Sequence, residues 1–104
     1  MKKTMYEKIW DSHLVIEATG QAPLLYVDRH LMHEVTSPQA FAGLRLFGRK
    51  IRNPQSILAT MDHCVPTKNR DLPIADPIAK KQIETMAENC RVTGLNLYDM
   101  QNPN

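Results

Sequence analysis

Cysteine is scarce in this chain, and its scarcity removes whole classes of function. The only two, Cys64 and Cys90, stand far apart with no C-x-x-C spacing, which argues against a disulfide framework and leaves the chain by itself without a cysteine-ligated metal site. Each reads as a small buried or half-buried thiol. Long apolar runs are missing as well. The longest are a few residues, too short to span a bilayer. Lys2 and Lys3 resemble the start of a secretory leader, yet Glu7 and Asp11 interrupt the apolar segment that would have to follow. Cytoplasm is the expected compartment, with no membrane partner. Charge of one sign is not in excess either: 13 Lys and Arg against 11 Asp and Glu give a net charge of +2, which makes no case for nucleic acid. Internal repeats and low-complexity segments are absent.

What remains is an ordinary globular composition, 42% hydrophobic and 23% charged over 104 residues. That length allows at most one domain with a modest core. Thr4-x-x-Glu7 is a capping box ahead of Ile9 and Trp10 and predicts a short helix over 5–12. Leu14-Val15-Ile16 and Leu24-Leu25-Tyr26-Val27 are candidate strands, the second rich in residues that suit a buried ladder. The polar residues after Asp28 predict a loop carrying His30, His33, Glu34 and Thr36.

Ser37-Pro38 predicts a helix start, with Ser as N-cap and Pro at the first helical position. Phe41, Leu44 and Phe47 repeat at helical spacing up to Gly48. Arg45, Arg49, Lys50 and Arg52 cluster at its end. They read either as a solvated patch complementing the helix dipole or as a contact surface for a partner or an anion.

Residues 67–73 form a turn-rich loop. Asp76-Pro77 then opens a helix to about Thr93, stopped by Gly94, with Ala79, Ile83, Met86, Ala87 and Cys90 as its core stripe. Leu95–Tyr98 alternates like a half-buried strand, and 99–104 is a polar ending. Strands separated by helices predict βαβ units and a mainly parallel sheet. Such a sheet needs helices on both faces. Three helices and four strands barely meet that need, so the α/β domain is expected to be incomplete over 1–104.

The most informative stretch is Ile57-Leu58-Ala59-Thr60-Met61-Asp62-His63. An apolar run that ends in an Asp-His pair reads as a buried strand delivering two polar side chains at its tip. Pro66 ends it for want of an N–H. Ligands of open α/β sheets bind beyond the carboxyl ends of strands, although a loop His beside a turn-capping Asp gives the same pattern. A zinc-type site from Asp28, His30, His33 and His63 is a further reading, on spacings that are common by chance.

Asp28-Arg29-His30-Leu31-Met32-His33-Glu34-Val35-Thr36-Ser37-Pro38-Gln39-Ala40-Phe41 and the 59–63 run resemble the large subunits of 3-isopropylmalate dehydratases, within the aconitase family of iron–sulfur hydro-lyases. Tyr6–Asp11, Pro23–Asp28 and Leu97-Tyr98-Asp99 extend the resemblance over nearly the whole chain. Family proteins are several times longer, so the resemblance implies the amino-terminal part of a three-layer α/β/α domain.

The resemblance also implies roles. Asp62 and His63 fall on the family's catalytic Asp-His pair, with His63 as the acid that protonates the departing hydroxyl and Asp62 as its orienting partner. Such a His suits the task because a carboxylate fixes its orientation and raises its pKa. His33 falls where related aconitases carry a Gln that contacts substrate, in a D-R-x-x-M-Q-D-x-T block, and is expected to bind a hydroxy-dicarboxylate. A loop His bonded to backbone is its plain alternative. Glu34 and Thr36 brace the loop. The family's [4Fe-4S] cluster is held by cysteines of later segments. Cys64 stands where the isopropylmalate branch has Asn, so no cofactor is expected on this chain alone.

The expected whole is a dehydratase of leucine biosynthesis completed by a separate small subunit, with this portion inactive alone. Related hydro-lyases for citramalate- or homoaconitate-type acids are an alternative. So is a non-catalytic interaction module or truncated gene product, motivated by the basic cluster.

Overall fold

Local signals set where the helices begin and end. In the computed structural model, which describes residues 1–102, Thr4 and Glu7 close a reciprocal capping box and α1 runs over Met5–His13. Of the polar ending expected over 99–104, the last two residues lie outside the described residues; Asp99 Oδ1 accepts from the Gln101 N–H at 2.9 Å. Asp76 caps α3, Pro77–Thr93, by accepting from the Ala79 N–H, and Gly94 ends it in the left-handed region at φ 71°. No atom lies within 4 Å of where a Cβ on Gly94 would sit, so a side chain there meets only backbone strain. Gly94→Ala should therefore destabilise the chain by about 1–2 kcal/mol, read as a lower urea midpoint. An unchanged midpoint would remove the argument.

The middle helix starts differently from the sequence expectation. Ser37 is not the N-cap of α2, Ser37–Leu46; Thr36 holds that place and makes no side-chain cap bond. The Ser37 hydroxyl is instead turned inward, 3.2 Å from the Met86 sulfur, and Ser37 is buried. A tertiary contact has displaced the local cap. Phe47, expected on the core stripe, is 70% exposed, because the helix ends one residue earlier. It lies beneath the Arg49 guanidinium, 5.7 Å from the ring centroid.

Five short strands follow the chain order: β1 Leu14–Ile16, β2 Leu24–Leu25, β3 His30–Met32, β4 Ile57–Thr60 and β5 Leu97–Tyr98. A 3₁₀ turn, Pro54–Ser56, leads into β4. β1 and β2 pair antiparallel as a separate ribbon. Leu24 and Leu25 are exposed, contrary to the buried ladder expected for them, since the ribbon contributes nothing to the main sheet. That sheet has the order β3-β4-β5 and is parallel throughout, with α2 and α3 as its two crossovers. The fold is thus α/β, as the alternation of elements predicts. Strand β3 was expected as loop; its pairing with β4, Met32 opposite Ala59, supplies the ladder that its polar sequence did not advertise.

The core sits on one face of this sheet. Met32, Ala59 and Met61 meet Phe41 of α2 and Met86 and Cys90 of α3, with Leu95 closing the end. Ile83 and Ala87 pack against it, as the α3 stripe requires. The other face is open, with Leu31 71% exposed. All of the buried core comes from residue 32 onward. The radius of gyration is 17.7 Å, against about 13 Å for a compact chain of this length. Among the described residues no helix is long and apolar enough to cross a membrane.

Candidate active site

Parallel pairing places the carboxyl ends of β3 and β4 side by side. His33 and Glu34 follow β3; Met61, Asp62 and His63 follow β4. The register that sets Met32 against Ala59 therefore brings two polar pairs, 29 residues apart in sequence, to one spot at the sheet edge. His33, Glu34, Asp62 and His63 offer side-chain nitrogens and oxygens that all lie within 4.8 Å of one another.

Glu34 is at the centre and fully buried. Its Oε1 accepts the N–H of His63 at 2.7 Å and of Cys64 at 2.5 Å. Its Oε2 accepts the N–H of Asp62 at 3.2 Å. Burial by itself pushes this carboxyl up, but the backbone N–H groups of Cys64, Glu34 itself, His63 and Asp62 outweigh it and hold it below the ordinary 4.5. The carboxylate thus stabilises the fold above the ordinary glutamate pKa, and that contribution is lost as pH falls through the lowered value. The sequence marks Glu34 only as a loop brace. Its place beside His33, in the block that resembles the family's substrate-contacting segment, is the one signal the sequence offers that it belongs to the site.

His63 and Asp62 are both about half exposed, with Nδ1 and Oδ1 2.5 Å apart. The bond from Asp62 raises the pKa of His63 above 6.5, against a loss from desolvation, and the charges of Asp62 and Glu34 add to the rise. In return, the bond from His63 holds the Asp62 carboxyl below its usual range. With Nδ1 committed to Asp62, the nitrogen left to face a ligand is Nε2. His33 stacks on His63, centroids 4.3 Å apart and planes 21° from parallel. The Val35 N–H donates to His33 Nδ1 at 3.2 Å, so the ring's own proton sits on Nε2. The site therefore presents two imidazole edges above a buried carboxylate.

The four side chains are grouped closely enough to hold a cation, yet several of their ligand atoms are already engaged. Three N–H groups occupy the Glu34 lone pairs, Asp62 Oδ1 is taken by His63, and His33 Nδ1 by Val35. Asp28 and His30, candidates with His33 and His63 for a zinc-type site, do not join the cluster. Asp28 pairs with His13 at 3.1 Å. His30 lies in β3 and is exposed.

The cysteines do not fit an iron–sulfur cluster, which needs several thiolates. Burial pushes the Cys90 thiol up to about 11. Burial also raises Cys64, whose Sγ donates to Gln82 Oε1 at 2.7 Å. Both are placed as protonated thiols.

The basic cluster faces elsewhere. Arg45 donates to Asn89 Oδ1 at 2.9 Å across α2 and α3. Arg45, Arg49, Lys50 and Lys81 line a cleft of about 960 Å³ whose apolar wall includes Phe41, Leu44, Ile51 and Val92.

The family model described as Aconitase family (aconitate hydratase) covers residues 7–103. No solved structure matches the chain.

Proposed function

Since the chain belongs to the aconitase family, a family of iron–sulfur hydro-lyases, we propose that it is the amino-terminal part of a 3-isopropylmalate dehydratase large subunit. In that reading it forms one wall of an active site that interconverts 2-isopropylmalate and 3-isopropylmalate in leucine biosynthesis. The observation that carries the reading is the Asp62–His63 pair, bonded at 2.5 Å with His63 Nε2 free to face substrate.

Hydroxide leaves a hydroxy acid poorly unless it is protonated as it departs. His63 supplies that proton from Nε2, and its raised pKa keeps the acid form populated to higher pH. Asp62 holds the ring in orientation and stabilises the imidazolium. The reverse step, rehydration, uses the same nitrogen as a base toward water. His33 offers an Nε2–H beside His63 for a substrate carboxylate or hydroxyl oxygen. The base for the carbon-bound proton, the cluster ligands and the small subunit's contribution belong to other segments, and the chain alone is inactive.

The test is turnover by the complete two-subunit enzyme. We expect kcat/KM for 2-isopropylmalate to exceed that for citramalate by about tenfold or more, the order that extra methyl groups in an apolar pocket provide. Equal or reversed preference would move the assignment to a related hydro-lyase.

A second reading has its own observation, the basic cleft between α2 and α3. It makes the chain a non-catalytic module that docks on a dehydratase subunit. Failure of the chain to retain any such subunit in a pull-down would count against it.

A further inference from the structure

The turn that carries the Asp-His pair leaves the sheet at Thr60, the last residue of β4. Beyond that point a ladder no longer holds its backbone, and both catalytic side chains are about half exposed. A turn so placed needs something else to fix it. We propose that Glu34 is the positioning residue of the Asp62–His63 pair, clamping the turn through the consecutive N–H groups of Asp62, His63 and Cys64.

Three successive backbone N–H groups converging on one point form a concavity of the kind that captures free anions. Here it is filled from within the chain. Glu34 Oε1 takes two of the N–H groups and Oε2 the third. The concavity is therefore closed to a substrate carboxylate, which is left to the imidazole edges above it. Only a carboxylate fits the role: it offers about four lone-pair directions and no donor. A Gln at this position would turn an NH₂ toward one of the three N–H groups, donor against donor.

The second contribution is charge. Glu34 is fully buried and ionised beneath the turn, and it favours the imidazolium form of His63 alongside Asp62. The groups facing His63 are few. Asp62 comes from its own turn, and Glu34 and the stacked His33 come from the end of β3. From α3 come uncharged Gln82, bonded to Cys64, and Asp76 at the N-cap, which acts on Cys64. Two carboxylates with different tasks thus serve one histidine. Asp62 orients the ring, and Glu34 holds the backbone from which both side chains project.

The proposal rests on the function above for what the pair catalyses, but its test does not. In the 104-residue chain, NMR titration from acid to neutral pH should show the amides of Asp62, His63 and Cys64 moving together, with one midpoint below 4.5. E34Q should abolish that shared transition and bring the His63 imidazole midpoint down toward 6.5. E34D keeps the charge on a shorter arm and should retain the shared transition at reduced amplitude.

A role confined to fold stability predicts otherwise: E34Q lowers the urea midpoint and leaves the His63 midpoint where it was. That result overturns the proposal. So does a wild-type chain whose three amides share no acid transition, a measurement that stands even where E34Q fails to fold. The substrate preference of the complete enzyme touches none of these readouts, so an error in either assignment is visible separately.

Discussion

In the complete enzyme, His63→Asn is expected to lower kcat by about 10²–10⁴-fold, the range that a positioned general acid contributes, with little change in KM. The asymmetry follows from when the proton matters. In the proposed reaction His63 Nε2 gives up its proton as the hydroxyl departs, so its loss is felt in the transition state more than in the bound ground state. Asn can still donate a hydrogen bond, which keeps the substrate seated, but it cannot transfer a proton.

Asp62→Asn is the companion. It keeps the size of the side chain, removes the charge that raises His63 and replaces one of the two carboxylate oxygens beside the ring with an NH₂ donor, which weakens the hold on its orientation. The sign of the pH effect is fixed. His63 lies above 6.5 with Asp62 in place, so without the carboxylate its acid form is lost at lower pH, and the alkaline limb of kcat against pH moves to the acid side. Steady-state kinetics across pH on both variants is the measurement. A His63→Asn enzyme with wild-type kcat would end the acid assignment, and an unmoved limb in Asp62→Asn would end the orienting one.

The largest effect on stability should come from Met86→Ala. Met86 is fully buried at the centre of α3, packed in the cluster with Phe41 and Ala59. Truncation removes transferred apolar surface and leaves a cavity, together costing about 2–5 kcal/mol. It also strips the inward-turned Ser37 hydroxyl of its sulfur partner at 3.2 Å. A domain of this size holds only about 5–15 kcal/mol in all, so the loss is a large share of its stability. Met86→Leu conserves volume and should cost less than about 1.5 kcal/mol. Val92→Ala, on the exposed side of the same helix, should stay within about 0.5 kcal/mol. Urea denaturation of the three chains ranks them. A Met86→Ala loss no greater than that of Val92→Ala would show that the cluster is not the core.

The same residues show what the sequence can and cannot announce. Helix α3 is legible end to end, because Asp76, Pro77 and Gly94 are local signals and its stripe of Ile83, Met86, Ala87 and Cys90 obeys one period. Strand β4 is legible as an apolar run with a polar tip. Strand β3 is not, because His30-Leu31-Met32 has no alternation of its own and becomes a strand only by pairing with β4. The start of α2 is off by one residue for the same kind of reason: Ser37 has a better partner in Met86 than in its own helix.

At the site, the Asp62–His63 bond joins neighbours in sequence and could be anticipated. The stack of His33 on His63 and the three N–H groups gathered by Glu34 join positions about thirty apart. They depend on register, and register is a property of the folded sheet.

Among the described residues, the order β3-β4-β5 leaves only β4 paired on both sides. β3 turns one row of backbone donors and acceptors outward, and no proline or bulge guards the short run His30-Leu31-Met32. An unguarded edge is a template for another strand. In a concentrated solution of this chain, little beyond the shortness of β3 limits growth of the sheet at that edge, so intermolecular pairing competes with solubility. The polar tip that gives the site its chemistry lies at the end of the same strand whose side invites association.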